Sequence, residues 1–431
     1  MTRFTIVHAA DVHLDSPMRG LARYEGAPVE VMRTATRQAL RNLVDLCRDE
    51  GAALLLLAGD VFDGDWRDYA TGQCFVSELS RLREADVEVV MIRGNHDAAS
   101  VIQKHLPLPA NTRELSPRAP ETVRFERLGV AVHGQSYAQP AVSADLAAGY
   151  PAPSPGWLDI GLLHTSLDGR PGHEPYAPCR PETLIEKGYA YWALGHVHRR
   201  EVVHRDPWVV FPGNLQGRHI RETGAKGATV IHVEDGAIVE VVPRVLDVAR
   251  WAHLEVDITA ATSGYDVVHL VTSAAASARD EAEGRPLALR VTLEGRSRAH
   301  GAWVDDAEGW AAQLRAEFTD LGPLWLERVR VRSGTAPHDR LDPEEAIGTG
   351  DGALAQVMRG LDGIEDDDDA TAALIPELLP LHQKIPRELK HTGRSEPFRL
   401  NDPEVVRELL PDVRALLRER MLAADGAEEE R

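Results

Sequence analysis

Four short polar motifs and one isolated histidine, each at the end of an apolar run, carry the side chains that bind divalent metal ions. They are Asp11-Val12-His13, Gly59-Asp60-Val61-Phe62-Asp63, Gly94-Asn95-His96-Asp97, His164 and Gly195-His196-Val197-His198. Asp60 follows the continuous apolar run 53–58, which reads as a fully buried strand. A carboxylate at the edge of such a strand has little access to water, and a metal ion is its best partner. Asp60 is therefore the residue to place between two ions. With Asp11, Asn95, His13, His164, His196 and His198 it offers hard and borderline N/O donors suited to Mn2+, Fe2+ or Zn2+. Taken singly the motifs have bland readings: a turn for Gly94-Asn95, an edge strand for the His196–His198 stretch, a structural histidine for His164. Their joint occurrence at successive strand exits is what points to a metal centre.

Positioning such residues requires an α/β layered domain, because sites there lie outside the carboxyl ends of strands. Strands are expected at 5–9, 53–58 and 87–92, with amphipathic helices at 28–50 and 69–85 between them. The pattern then turns β-rich, with a hairpin at 122–125 and 130–133. Strands follow at 159–163, 191–194 and 208–211, and a closing hairpin at 227–233 and 238–242. Residues 250–332 read as strand, helix, strand, helix, strand, a compact α+β unit without metal-ligand spacing. Beyond Ser333 the chain is polar and broken by Gly and Pro, with helical segments expected near 370–379 and 403–422.

The chain has 431 residues, 43% of them hydrophobic, which is enough for two or three domains with a large core. Three cysteines without CxxC spacing exclude a disulfide framework and a thiolate zinc site, and suit a reducing cytoplasm. No signal-peptide pattern opens the chain and no apolar run approaches the ~20 residues of a membrane helix, so a cytoplasmic protein is expected. The net charge of −20 speaks against nucleic acid as a partner. Two divalent ions would offset this where a phosphate must sit, and acid clusters at 365–369 and 428–430 lie away from the motifs.

The motif series resembles the calcineurin-like metallophosphoesterase superfamily. The phrases His8-Ala9-Ala10-Asp11-Val12-His13-Leu14-Asp15-Ser16-Pro17 and Pro212-Gly213-Asn214-Leu215-Gln216-Gly217-Arg218-His219 narrow it to the SbcD-type DNA-repair nuclease branch, nearest the YhaO-type exonucleases. The resemblance implies a four-layer α/β sandwich of two mixed sheets flanked by helices, over residues 1–246. It implies a small α+β capping domain at 247–333, leaving 334–431 as a linker and helical tail. It implies two divalent ions, Mn2+ first among them, one held by Asp11, His13, Asp60 and His198, the other by Asp60, Asn95, His164 and His196. Two ions at ~3.5–4 Å would hold a shared hydroxide and neutralise charge on an in-line phosphoryl transition state. His96 would protonate the leaving oxygen, with Asp97 orienting it and Asp63 supporting His96 or a ligand.

The implied activity is DNA exonuclease or endonuclease action in repair. A phosphatase or cyclic-nucleotide phosphodiesterase of the same superfamily is the alternative that the charge favours, and an inactive scaffold for an ATPase is a third reading. Arg199, Arg218 and Arg221 are candidate phosphate contacts, with a solvated basic loop as the bland reading. His8, His133, His232, His253 and His269 have structural readings. A coiled-coil, SMC-like ATPase of the SbcC or YhaN type is the expected partner of the tail, besides DNA, and a homodimer is left open. In the tail, Asp402 and Pro403 start a helix whose Val406, Leu409, Val413, Leu416, Leu417 and Met421 share a face. Packing of that face on the chain's own cap is the competing reading.

Overall fold

The computed structural model describes residues 2–16, 29–63, 69–99, 106–169, 176–336 and 368–384, with Val406, Leu409, Leu410 and Val413. Residues 3–245 carry two six-stranded mixed sheets. The first has the order β12-β11-β1-β2-β3-β4. Its strands are β1 (Arg3–Ala9), β2 (Ala52–Ala58), β3 (Glu88–Ile92), β4 (Thr112–Glu114), β11 (Gly227–Glu234) and β12 (Ala237–Val245). β1 to β4 are parallel neighbours, while β11 and β12 add antiparallel.

The second sheet has the order β5-β6-β7-β8-β10-β9. It contains β5 (Glu121–Phe125), β6 (Val130–Gly134), β7 (Leu158–His164), β8 (Tyr191–Gly195), β9 (Glu201–Arg205) and β10 (Trp208–Phe211). β6, β7, β8 and β10 are parallel, with β5 and β9 antiparallel at the two edges.

The apolar run of β2 is continuous because both of its faces are covered. Leu54, Leu56 and Ala58 pack between the sheets with Val132, Ile160, Leu162 and Ala193. Leu55 and Leu57 face the other way, among Ala39, Leu43, Phe75 and Leu79 of the helices α1 (Val29–Asp49) and α2 (Tyr69–Glu84). On the far side of the second sheet, Trp192, Val209 and Phe211 pack with Leu184 of the short helix α4 (Pro181–Glu186). The result is the four-layer sandwich expected. The short helix α3 (Asn95–Ala99) follows β3.

By packing, the chain divides into two units. One is Met1–His253 with Ala275–Arg290 and Phe318–Glu327; the other is Leu254–Ala274 with Val291–Glu317 and Arg328–Arg431. The elements after β12 are β13 (Arg250–Asp257), α5 (Gly264–Glu281), β14 (Leu287–Glu294), β15 (Arg296–Ser297), α6 (His300–Asp305), α7 (Ala307–Asp320), β16 (Leu324–Val331) and β17 (Gly334–Thr335). They follow the strand–helix order expected, but the second helical stretch is broken into α6 and α7. In the second unit, Trp310 stacks on Trp303 and meets Tyr265 edge-on.

A further helix, α8 (Asp368–Lys384), runs past the expected end at 379 with Pro376 and Pro380 inside it. The helix start at Asp402 and Pro403 lies outside the described residues, as do Leu416, Leu417 and Met421. Val406 and Leu410 are buried, and Val413 is exposed. Among the described residues no helix is long and apolar enough to cross a membrane.

Candidate metal centre

The carboxyl ends of β1, β2 and β3 meet at one rim of the first sheet, and those of β7 and β8 at one rim of the second. Past the strands, the pairing of β1 and β2 continues through Asp11 N–H to Gly59 O (3.0 Å), His13 N–H to Asp60 O (3.0 Å) and Leu14 N–H to Val61 O (2.8 Å). Asp11, His13, Asp60 and His196 all have positive φ, at 51, 43, 52 and 100°. Backbone held there by non-glycine residues costs of order 1–3 kcal/mol each and persists only where the surroundings enforce it. The two sheets approach closely at this rim. A Cβ on Gly195 would overlap the Ala58 carbonyl, and one on Gly94 would overlap the Asp60 carboxylate.

All seven residues expected as ligands come together here. Among the described residues, three groups of donors each lie within 4.8 Å: Asp11, His13 and His198; His13, Asp60 and His96; Asp60, His164 and His196. Asp60 belongs to two of them, with Oδ2 at 3.9 Å from His13 Nε2 and 3.5 Å from His164 Nε2. Asn95 Oδ1 is 3.1 Å from His164 Nε2. Asp11 accepts the His196 backbone N–H at 3.0–3.1 Å and lies 3.9 Å from His198 Nε2.

Three of the histidines are oriented by their other nitrogen. His13 Nδ1 bonds Asp63 at 2.7 Å, His198 Nδ1 bonds Glu222 at 2.7 Å, and His164 Nδ1 bonds the Ala58 carbonyl at 2.8 Å. A carboxylate or carbonyl can only accept, so each Nδ1 carries the proton. Each Nε2 then presents its lone pair to the cluster when the ring is neutral. His13 Nε2 and His198 Nε2 stand 3.2 Å apart. His164 Nε2 likewise faces the Asn95 oxygen. Acceptors crowded in this way need a shared cation, and the donor set fits divalent ions.

Electrostatics agree with that arrangement. Burial pushes the pKa of His13 and of His198 down, favouring the neutral, ligating form. Burial would also lower His164, but the Asp60 carboxylate outweighs it and lifts the ring to about 9. Asp60 itself is held well below the usual carboxylate range: burial opposes this, and the facing His164 and His13 overcome it. Asp11 is raised, chiefly by burial. A cation at the cluster would take over from the proton that His164 otherwise holds.

His96 sits beside the ligands with its side chain 43% exposed. Of the two carboxylates expected to support it, Asp63 is its partner and Asp97 is not. Asp63 Oδ1 lies 3.2 Å from His96 Nδ1. Asp97 is buried and accepts the backbone N–H groups of Phe62 (2.9 Å), Gly94 (3.1 Å) and Val61 (3.2 Å). The short turn of α3 directs its carboxylate into the two strand-exit loops, so Asp97 braces backbone and Asp63 orients His96. Burial works against protonation of His96, but the Asp63 bond and the Asp60 charge raise its pKa.

The arginines separate. Arg218 is half-buried next to the centre, where Nη2 bonds Glu222 at 3.1 Å and Nη1 lies 3.5 Å from Asp63. It already faces two carboxylates instead of standing in solvent. Arg199 and Arg221 are exposed. His8, with a structural reading from the sequence, is fully buried, its Nδ1 at 3.0 Å from the Tyr191 hydroxyl and its Nε2 at 3.1 Å from Leu194 O. Glu222 escaped the sequence reading altogether. It lies in an irregular loop just after the Pro212–His219 phrase, where nothing in the sequence marks it as the partner of His198, 24 positions away.

A two-sheet sandwich with Asp and His at facing strand ends defines the class of protein. Residues 4–200 match the calcineurin-like phosphoesterase family, and 251–334 match the middle domain of the metallophosphoesterase YhaO. The chain belongs to the calcineurin-like phosphoesterases, hydrolases of phosphoric esters that bind two divalent metal ions. It is 34% identical to the uncharacterized metallophosphoesterase YhaO of Bacillus subtilis (strain 168), over 68% of this chain and 72% of that one. It is 27% identical to the DNA double-strand break repair protein Mre11 of Methanopyrus kandleri, over 54% of this chain and 55% of that one. For Mre11 of Sulfurisphaera tokodaii the identity is 26%, over 54% of this chain and 60% of that one. The chain thus spans somewhat over half the length of these Mre11 relatives.

Proposed function

We propose that this chain is a two-metal phosphodiesterase that cleaves DNA, as an exonuclease or endonuclease in repair, with Mn2+ as the working ion. The observation that carries the reading is the set of three histidines whose Nδ1 atoms are tied outward while their Nε2 atoms converge on Asp11 and Asp60. Asp11, His13, Asp60 and His198 would hold one ion, and Asp60, Asn95, His164 and His196 the other. Bound there, the ions supply an activated water and neutralise charge on the phosphoryl oxygens.

The chain's own residues do the rest. Asp60, shared between two donor groups, sets the spacing. His96 is exposed enough to reach a phosphodiester, and Asp63 engages its Nδ1, leaving Nε2 to donate a proton to the leaving oxygen. Asp97 keeps the two loops that carry Asp60 and Asn95 in register. Arg218 lies close enough to meet a phosphate oxygen. Support for DNA comes from the Mre11 relatives, named for double-strand break repair. A partner belongs to the reading too, a coiled-coil ATPase of the SMC-like type.

The test is hydrolysis of end-labelled DNA with Mn2+ and with Mg2+, in competition with a generic aryl phosphodiester and a cyclic nucleotide. Shortened DNA products with Mn2+ are expected. The net charge of −20 favours the second reading, a small-ester phosphatase or cyclic-nucleotide phosphodiesterase. Preference for the small esters, with DNA left intact, would establish that one. Pull-down of the ATPase by the full chain, and not by a chain ending at Thr392, tests the partner.

A further inference from the structure

We infer that Glu222 is a positioning residue for one of the two metal positions, acting through His198. This rests on the two-metal reading. The carboxylate is buried and serves four donors. Oε1 takes His198 Nδ1 at 2.7 Å and Arg218 Nη2 at 3.1 Å. Oε2 takes the Arg218 backbone N–H at 2.7 Å and Asn214 Nδ2 at 3.1 Å.

The loop that supplies Glu222 is anchored on its own account. Buried Gln216 accepts the Val248 N–H at 2.8 Å and donates to Ala249 O at 2.6 Å. The backbone of His198 is held from a second side, since Lys226 Nζ donates to its carbonyl at 3.0 Å. Ring and backbone are therefore fixed by different residues. Besides holding Asn214 and Arg218, Glu222 bonds the His198 ring at 2.7 Å, the shortest contact given for that nitrogen. It keeps the proton on Nδ1, so the Nε2 lone pair points at Asp11 and His13.

His198 belongs to the donor group with Asp11 and His13, and not to the group with Asp60, His164 and His196. The effect of Glu222 should accordingly fall on one ion. Partners of this kind typically contribute 10–100-fold to metal affinity.

The experiment is calorimetric titration of Mn2+ into the metal-stripped full chain, with elemental analysis of the loaded protein. Wild type, Glu222→Ala, His198→Ala and the double variant are compared. Wild type should take two equivalents. Glu222→Ala should keep one site at wild-type affinity and weaken the other ~10–100-fold. In the His198→Ala background, Glu222→Ala should cost nothing more, because its effect passes through that ring. Thermal unfolding of the stripped variants shows whether they fold. Two wild-type sites in Glu222→Ala overturn the inference, and so does an additive loss in the double variant or an equal loss at both sites. A wild-type chain that binds no Mn2+ fails the two-metal reading itself and takes this inference with it.

Discussion

His13 Nε2 and His198 Nε2 face each other at 3.2 Å across 185 positions of chain. Asp63 and Glu222 hold the Nδ1 protons outward, so two lone pairs meet inside a buried cluster. A divalent ion relieves that repulsion and protons do so poorly, since burial lowers both pKa values. Metal should therefore stabilise the fold. Mn2+ at a hundred times its dissociation constant adds about 2.7 kcal/mol per site. The expected result is a higher unfolding temperature for the Mn2+-loaded chain than for the chelator-stripped one. Identical melting curves would remove the cation from this account.

Asp60 is the residue whose loss should be felt at both positions. Asp60→Asn keeps the shape, removes the charge and is expected to leave neither site at wild-type affinity. His198→Ala should weaken mainly one. Elemental analysis decides between them. A variant Asp60→Asn retaining two full equivalents would exclude a shared carboxylate.

His96 and Asp97 are neighbours with different expected failures. His96→Ala should keep the fold and the metal and lose ~10²–10⁴-fold in turnover, as the loss of a general acid does. Asp97→Ala strands three backbone N–H donors, each worth about 1–3 kcal/mol when buried and unpaired. Its expected signature is a lowered unfolding temperature even without metal. Near wild-type hydrolysis by His96→Ala would deny it the acid role, and an undisturbed melting curve for Asp97→Ala would deny it the bracing role.

His8 gives the fold a pH dependence. Its buried ring donates from Nε2 to Leu194 O and accepts from the Tyr191 hydroxyl at Nδ1, an arrangement for the neutral form. Burial pushes its pKa from 6.5 to about 3. Above 6.5 neither state holds the proton and stability is at its full value. Between 6.5 and about 3 the unfolded chain binds a proton that the folded chain refuses, so stability falls as pH falls. Gln can make the same two bonds without titrating. His8→Gln should flatten the slope of unfolding free energy by up to about 1.4 kcal/mol per pH unit in that window. Parallel slopes for the two proteins would show that His8 does not contribute.

If the substrate is DNA, cleavage should weaken steeply with salt. Each neutralised phosphate adds about −0.9 to the log–log slope on duplex and about −0.7 on single strands. Hydrolysis rates at sub-saturating DNA over a salt series measure the slope. A flat response would favour a small phosphate ester.

The layered fold and the residues of the donor cluster were legible in the sequence for a local reason. Buried parallel strands must be apolar on both faces, so a polar motif directly after one marks its carboxyl end. Asp11, Asp60, Asn95, His164 and His196 all stand at such ends. The partners of those residues were not legible. Asp63 was expected beside His96 or a ligand only through the resemblance; its reach to both His13 and His96, Asp97 bonding three backbone donors, and Glu222 holding His198 are contacts across loops, and no periodicity records them. The edge strands β4 and β9 were missed for a related cause. They are short and half-exposed, so their pattern is weak, and the neighbouring strand's hydrogen bonds make them strands. Sequence thus determined which side chains could bind metal. Tertiary structure alone decided which way each ring faces, because a histidine's tautomer is set by whatever carboxylate or carbonyl the folded chain brings to its other nitrogen.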